Sequence, residues 1–316
     1  MVTLTLKEQP AVPLEAECLS PDVIEGQAAE AIRALPVFLG KRKCRVDDFF
    51  NVESSEVDAL EIRGDARQAK WIGKGMTKGT IRIVGNAGMH LGAHMKRGTI
   101  NVSGNASDWV GAEMTGGLIR VQGNAGGQIG AAYRGSMAGM KGGAIEVSGN
   151  ASDWVGAEMT GGLIRVQGNA GGQIGAAYRG SLAGMNGGTI LIGGSAGLEV
   201  GMRMKRGIIV VGGPVRDFAG LQMKGGTIFL LGGAEIRTGA WMIRGTIVSL
   251  KPIRLLPTFS QACAYNPTFI HVYARHLEKL GIPIPHEVQA GAYLRYSGDT
   301  SVPGKGEILV WQPHGR

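Results

Sequence analysis

Apolar and polar residues alternate along this chain in short bursts that return at a fixed interval. Ile81 and Ile83 flank Arg82, Ile119 and Val121 flank Arg120, and Ile164 and Val166 flank Arg165. A period of two predicts a half-buried strand, apolar side inward and polar side outward. The bursts open at Thr80, Thr99, Leu118, Ala144, Leu163, Thr189, Ile208, Thr227 and Thr246, with steps of 19 residues apart from two steps of 26. Eleven residues after the first six openings stands an apolar residue: Leu91, Val110, Ile129, Val155, Ile174 and Val200. A methionine precedes every opening by four: Met76, Met95, Met114, Met140, Met159, Met185, Met204, Met223 and Met242. A constant period near 20 residues signals a stack of equivalent units, each contacting only its neighbours.

Nineteen extended residues trace roughly 60 Å, enough for three short sides of a closed triangular coil. Of the 54 glycines, 46 lie between residues 59 and 250, a density no helical repeat would tolerate. The expected fold is therefore all-β, a right-handed parallel β-helix of about ten coils. A left-handed hexapeptide helix is disfavoured because six does not divide 19. The expected organisation is an N-terminal cap at 1–58, the glycine-rich β-helix at 59–250, and a C-terminal helix and β-hairpin cap at 251–316. The caps read as a strand at Val2–Leu6, short helices after Ser20-Pro21-Asp22 and near Ala28–Leu35, a helix from Asn266-Pro267 to about Leu280, and two closing strands. The segment Val102–Ser136 recurs unchanged as Val147–Ser181, a duplication that a stack absorbs by growing longer.

Charge adds a surface to this picture. The net charge is +8, and residues 59–250 hold 20 Lys and Arg against 10 Asp and Glu. Lys78, Lys96, Arg97, Lys141, Lys205, Arg206, Lys224 and Arg244 follow the repeat methionine by one or two places, so stacking predicts a basic corner, interrupted at Thr115, Thr160 and Asn186. Two readings stay open: a solvated edge that discourages sheet pairing, or a track for an acidic partner or a polyanionic small molecule. Nucleic acid is disfavoured, since no aromatics are interleaved with the charges. The two 26-residue steps carry AYRGSMA and AYRGSLA, predicting that Tyr133, Arg134, Tyr178 and Arg179 project as contact loops, or that the inserts are merely tolerated.

Catalytic signatures are absent: no nucleophile elbow, P-loop, dinucleotide fingerprint or H-E-x-x-H. His90 and His94 are the nearest approach to a metal pair, expected at one exposed and one edge position, and metal binding is disfavoured. Asp108, Glu113, Asp153 and Glu158 are the nearest candidates for glycan chemistry, but each pair is a copy of the other. Three isolated cysteines, Cys18, Cys44 and Cys263, suggest a reduced, cytoplasmic protein with no cluster of its own. No apolar run reaches signal-peptide or membrane length.

The repeat G-N-A-x-x-x-(V/I)-G-A-x-M-x-G-G resembles the glycine-rich β-helix of the glutamate synthase large subunit. Over essentially all 316 residues, including the run Leu39–Phe49 around Cys44 and the closing segments Tyr296–Asp299 and Gly304–Ile308, the chain is similar to the C subunit of formylmethanofuran dehydrogenase and its counterpart in the bacterial formyltransferase/hydrolase complex. The resemblance implies a noncatalytic scaffold without cofactors of its own, partnered by subunits A, B and D. The complex would move formyl groups between tetrahydromethanopterin, a methanofuran-type carrier and formate, and the carrier's glutamyl tail would be an anionic ligand for the basic corner. Composition favours the bacterial version over the archaeal tungsten or molybdenum enzyme, because the Lys/Glu excess of hyperthermophiles is missing. A stand-alone β-helix carbohydrate-active enzyme and an adhesive β-helix are the readings of other classes.

Overall fold

The computed structural model describes residues 1–54, 59–136 and 138–313. The expected boundary at residue 58 and Met137 of the first insert lie outside the described residues. The protein is mainly strand. Among the described residues one 15-stranded sheet runs from Ser260–Tyr265 through Ala292–Gly298 and Gly306–Gln312, across the repeat strands, to Ala59–Arg63, Val2–Leu6 and Phe50–Ser54.

The repeat strands pair parallel, and their register equals the sequence period. Ile81 sits beside Ile100, Ile100 beside Ile119, Ile119 beside Ile145, Ile145 beside Ile164 and Ile164 beside Ile190. Ile190, Ile209, Ile228 and Ile247 continue the column. All of these isoleucines are fully buried, as are the residues from Leu91 to Val200 that follow the openings by eleven. Every repeat methionine is fully buried too, so a flexible thioether fills one edge of the core in each unit. A second parallel run joins Ala66, Ala87, Ala106, Ala125 and Ala151, then Ala196, Val215 and Ala234.

The glycine three places after each methionine is explained by contact. A Cβ on Gly117 would lie 2.6 Å from Cε of Met95, one unit earlier, and the backbone there has φ +90°. The Gly-Asn dipeptides do more than turn the chain. Oδ1 of Asn86 accepts the N–H of Asn105 at 2.9 Å, and the same bond recurs from Asn124 to Asn105, Asn150 to Asn124 and Asn169 to Asn150 at 2.8 Å. An amide ladder thus satisfies backbone donors at the tightest bend, where a Cβ on Gly123 would meet Asn105 Oδ1 at 2.5 Å.

The outward face of the repeat strands divides in two. Arg82, Asn101, Arg120, Glu146 and Arg165 keep the expected polar-out alternation. From Leu191 onward it fails, because Leu191, Val210, Phe229 and Val248 point outward and are buried. The amphipathic helix Ile270–Lys279 covers them with Ile270, Ala274 and Leu277, forming a second hydrophobic cluster outside the main core.

Both ends of the stack are covered. Val2–Leu6 pairs parallel with Ala59–Arg63 and antiparallel with Phe50–Ser54, while Leu14, Leu19, Ile24 and Ile32 close the core behind it. The short helices fall at Pro21–Ile24 and Ala29–Arg33, although the Ser20 side chain makes no capping bond. At the other end Gly306–Gln312 pairs parallel with Arg244–Ser249 and antiparallel with Ala292–Gly298. Among the described residues no helix is long and apolar enough to cross a membrane.

Candidate functional site

The basic corner separates into groups with different surroundings. Lys96 and Arg97 are exposed at the N-terminal end, and Lys78 beside them is ion-paired with Glu25. Lys141 is exposed at the same template position, between Thr115 and Thr160. At the C-terminal end Lys205, Arg206 and Arg244 are exposed, and Lys224 and Arg244 are register partners. Lys205 and Lys224 do occupy equivalent places, each donating its N–H to the methionine carbonyl of the preceding unit, Met185 at 2.8 Å and Met204 at 2.7 Å. Lys224 is not a free cation, however. Its ammonium donates to the carbonyl of Leu182 at 2.6 Å and so serves the second insert.

The inserts correct the expectation of projecting tyrosines. Both rings fold back onto the stack, because Glu113 Oε1 accepts the Tyr133 N–H at 2.9 Å and Glu158 Oε1 accepts the Tyr178 N–H at 3.0 Å. Tyr178 is buried and Tyr133 half-buried, whereas Arg134 and Arg179 remain exposed. Tyr133 stacks on Trp109 with centroids 4.9 Å apart, and its hydroxyl lies 2.9 Å from Nδ1 of His90. His90 in turn lies flat on Trp71 at 4.0 Å. Contrary to expectation His90 is half-buried, and that burial, aided by Lys70, holds its imidazole down to a pKa of about 4, in the neutral form. His94 also packs against Tyr133, at 5.7 Å between ring centroids. Its Nδ1 is 3.6 Å from Glu113. These histidines belong to an aromatic column, and among the described residues no group of three or more His, Cys, Asp or Glu is placed to hold a metal.

The acidic candidates also have structural work. Asp108 Oδ1 accepts the N–H of Gly127 at 2.7 Å, and Asp153 Oδ1 that of Gly172 at 2.6 Å. With Glu113 and Glu158 bonded to the insert backbones, all four carboxylates tie one unit to the next. Burial pushes the Cys18 thiol up to about 11, far from a reactive thiolate.

Two surfaces escaped the sequence reading. The polar half of the outward sheet face forms an open groove of about 1090 Å³, lined by Arg82, Arg120, Arg165 and Glu146 among others and stopped by Leu280 and Gly281 at the end of the covering helix. The signal was legible: alternation is kept to Arg165 and lost from Leu191. A smaller cleft of 470 Å³ lies beside the C-terminal basic group, lined by Leu182, Arg203, Gln222, Lys224, Trp241, Ile243 and Val302. Its elements are far apart in sequence and only the stacking joins them.

In-register parallel strands that repeat one sequence unit, with Asn, Asp and Glu side chains bonding one unit to the next, define an all-β repeat architecture. No protein-family model matches the chain. It is 40% identical over 97 residues to the C subunit of the tungsten-containing formylmethanofuran dehydrogenase 2 of Methanothermobacter marburgensis, covering 29% of this chain and 36% of that one. It is 41% identical over 95 residues to the C subunit of the molybdenum-containing formylmethanofuran dehydrogenase 1 of Methanosarcina barkeri, covering 28% and 32%. The chain thus matches about a third of the length of these curated relatives. Over 98% of its length it superimposes on 98% of a chain in the crystal structure of the formyltransferase/hydrolase complex of Methylorubrum extorquens with methylofuran, with TM-score 0.58 and 28% identity. These matches relate the chain to the C subunits of formylmethanofuran dehydrogenases and to a chain of a formyltransferase/hydrolase complex.

Proposed function

We propose that this chain is a noncatalytic scaffold subunit of a formyl-transfer complex of the formyltransferase/hydrolase kind. In that complex formyl groups move between tetrahydromethanopterin, a methanofuran-type carrier and formate. The observation that carries the reading is the end-to-end match: both caps as well as the repeats align with a chain of such a complex. The engagement of Asp108, Glu113, Asp153 and Glu158 in the fold supports a structural role. We read the stack at 59–250 as a right-handed parallel β-helix between caps at 1–58 and 251–316, in the cytoplasm. Its partners are subunits A, B and D. The exposed cations Lys96 and Arg97, and Lys205, Arg206 and Arg244, are the places where an acidic carrier tail or an acidic partner surface would be attracted.

The archaeal formylmethanofuran dehydrogenase is the second reading, favoured by the higher local identity to its C subunits. Purification from native cells separates the readings. A formyltransferase/hydrolase complex elutes with subunits A, B and D and no molybdenum or tungsten, while the archaeal enzyme elutes with one of those metals. Purified alone, the chain is expected neither to transfer nor to hydrolyse formyl groups. Turnover by a partner-free preparation, or elution without partners, overturns the reading.

A further inference from the structure

We infer that Leu182, Trp241 and Ile243 form a preorganised anchor on which a sister subunit seats an apolar ridge flanked by carboxylates. The inference rests on the reading of the chain as a subunit and adds where, and by what chemistry, one partner is held.

Leu182 is 78% exposed, Trp241 49% and Ile243 41%. Single exposed apolar side chains are ordinary, but these three line one cleft together with Val302. Their positions are also out of pattern. The places filled by Trp241 and Ile243 are filled by Arg203 and Lys205, then Gln222 and Lys224, in the two preceding units. The change to apolar residues comes where the side chains stay in solvent, so packing of the core does not account for it.

The anchor is held from behind. Arg203 donates from Nη1 to the Ser181 carbonyl at 2.8 Å and from Nε to Gln222 at 2.7 Å, and Lys224 donates to the Leu182 carbonyl. Two cations thus fix the backbone of the insert tip while its leucine side chain stays in solvent. The Trp241 backbone N–H donates to Asp299 Oδ2 at 2.9 Å, and the Ile243 carbonyl accepts the Lys305 backbone N–H at 2.6 Å. Little backbone ordering entropy remains to be lost on binding, as suits an interface hot spot. The rim decides the partner's charge. Lys205, Arg206, Arg244 and Lys305 are exposed beside the cleft. Among the described residues none of the four is within ion-pair distance of a carboxylate. An apolar centre with a basic rim complements an apolar ridge with an acidic one.

The test is coexpression of the full chain with its partner subunits, read by size exclusion and native mass spectrometry. Leu182→Ser, Trp241→Ser and Ile243→Ser together are expected to weaken retention of one partner about tenfold or more. The melting temperature of the chain should hold, since all three side chains are exposed. Lys205→Glu, Arg206→Glu and Arg244→Glu together should weaken the same partner, and raising salt from about 50 to about 500 mM should mimic them. If wild type assembles and the serine variant assembles equally well, the anchor is wrong and the subunit reading stands. If wild type joins no partner, the subunit reading itself fails and the anchor with it. If the serine variant only converts a self-associated chain to monomer, the cleft takes a second copy and the inference is overturned.

Discussion

Val102–Ser136 and Val147–Ser181 are the same 35 residues placed at two heights of one stack, and they do not make the same contacts. Inside, they are equivalent: Ile119 lies between Ile100 and Ile145, and Ile164 between Ile145 and Ile190, all fully buried. Outside, they diverge. Arg120 pairs with Glu146 at 2.9 Å, whereas its counterpart Arg165 bonds to the carbonyl of Leu280 in the C-terminal cap. Tyr133 leans on Trp109 and reaches His90. Tyr178 is packed on Trp154, lies under Arg134, and donates its hydroxyl to the Ala132 carbonyl at 2.9 Å. The difference teaches that a repeat fixes its own core positions, while the role of an outward side chain is set by what happens to stand next to it.

The inner equivalence is the strongest statement and the easiest to break. Ile119→Asp and Ile164→Asp each place a carboxylate in the isoleucine column, at an expected cost of about 4 kcal/mol or more. Urea titration should give the two variants losses within about 1 kcal/mol of each other, by their matched surroundings. A mild effect of either substitution, or a large disparity, would show that the copies are not packed alike.

The outer divergence predicts an ordering. Tyr178→Phe leaves the Ala132 carbonyl without this donor in a buried setting, at about 1–2 kcal/mol. Tyr133→Phe removes a part-buried bond to His90 and should cost about 0.5–1 kcal/mol. Thermal melts that rank them the other way contradict the assignment of the buried ring to the second copy.

A further difference is a dependence on pH that runs through His90, which touches Tyr133 of the first copy and has no counterpart histidine beside the second. His90 has a folded pKa of about 4, below the ordinary 6.5, so the unfolded chain takes up the proton first as pH falls. Its contribution is unpenalised above pH about 6.5, and stability is lost progressively between about 6.5 and 4. His90→Gln, with the residue type that Gln128 and Gln173 supply at this template position, should flatten the difference in melting temperature between about pH 7 and about pH 4.5. An unchanged pH slope in that variant would remove His90 from the account.

Particular residues mark how far the sequence could be read. The methionines, the isoleucine column and the residues eleven places after each opening were legible because each unit meets its own copy, so spacing in sequence becomes position in space. The closing strands Ala292–Gly298 and Gly306–Gln312 were legible from alternation and turn residues. The strands Pro36–Leu39, Arg42–Arg45 and Ser260–Tyr265 were not, since their residues are largely exposed and their pairing is decided by distant partners. The asparagine amides bind across units, a function visible only when Asn86 is stacked against Asn105.

The sequence alone determined the period, the inward-facing set, the basic bias of the corner and the presence of caps, because a stack of equal units turns one-dimensional spacing into three-dimensional contact. Only the tertiary structure decided that the tyrosines fold inward, that Lys224 holds an insert, that Ile270–Lys279 covers half of the outer face, and that Leu182 shares a cleft with Trp241 and Ile243. Those contacts join residues outside the repeat's register, and no local pattern encodes which of several available neighbours an outward side chain will find.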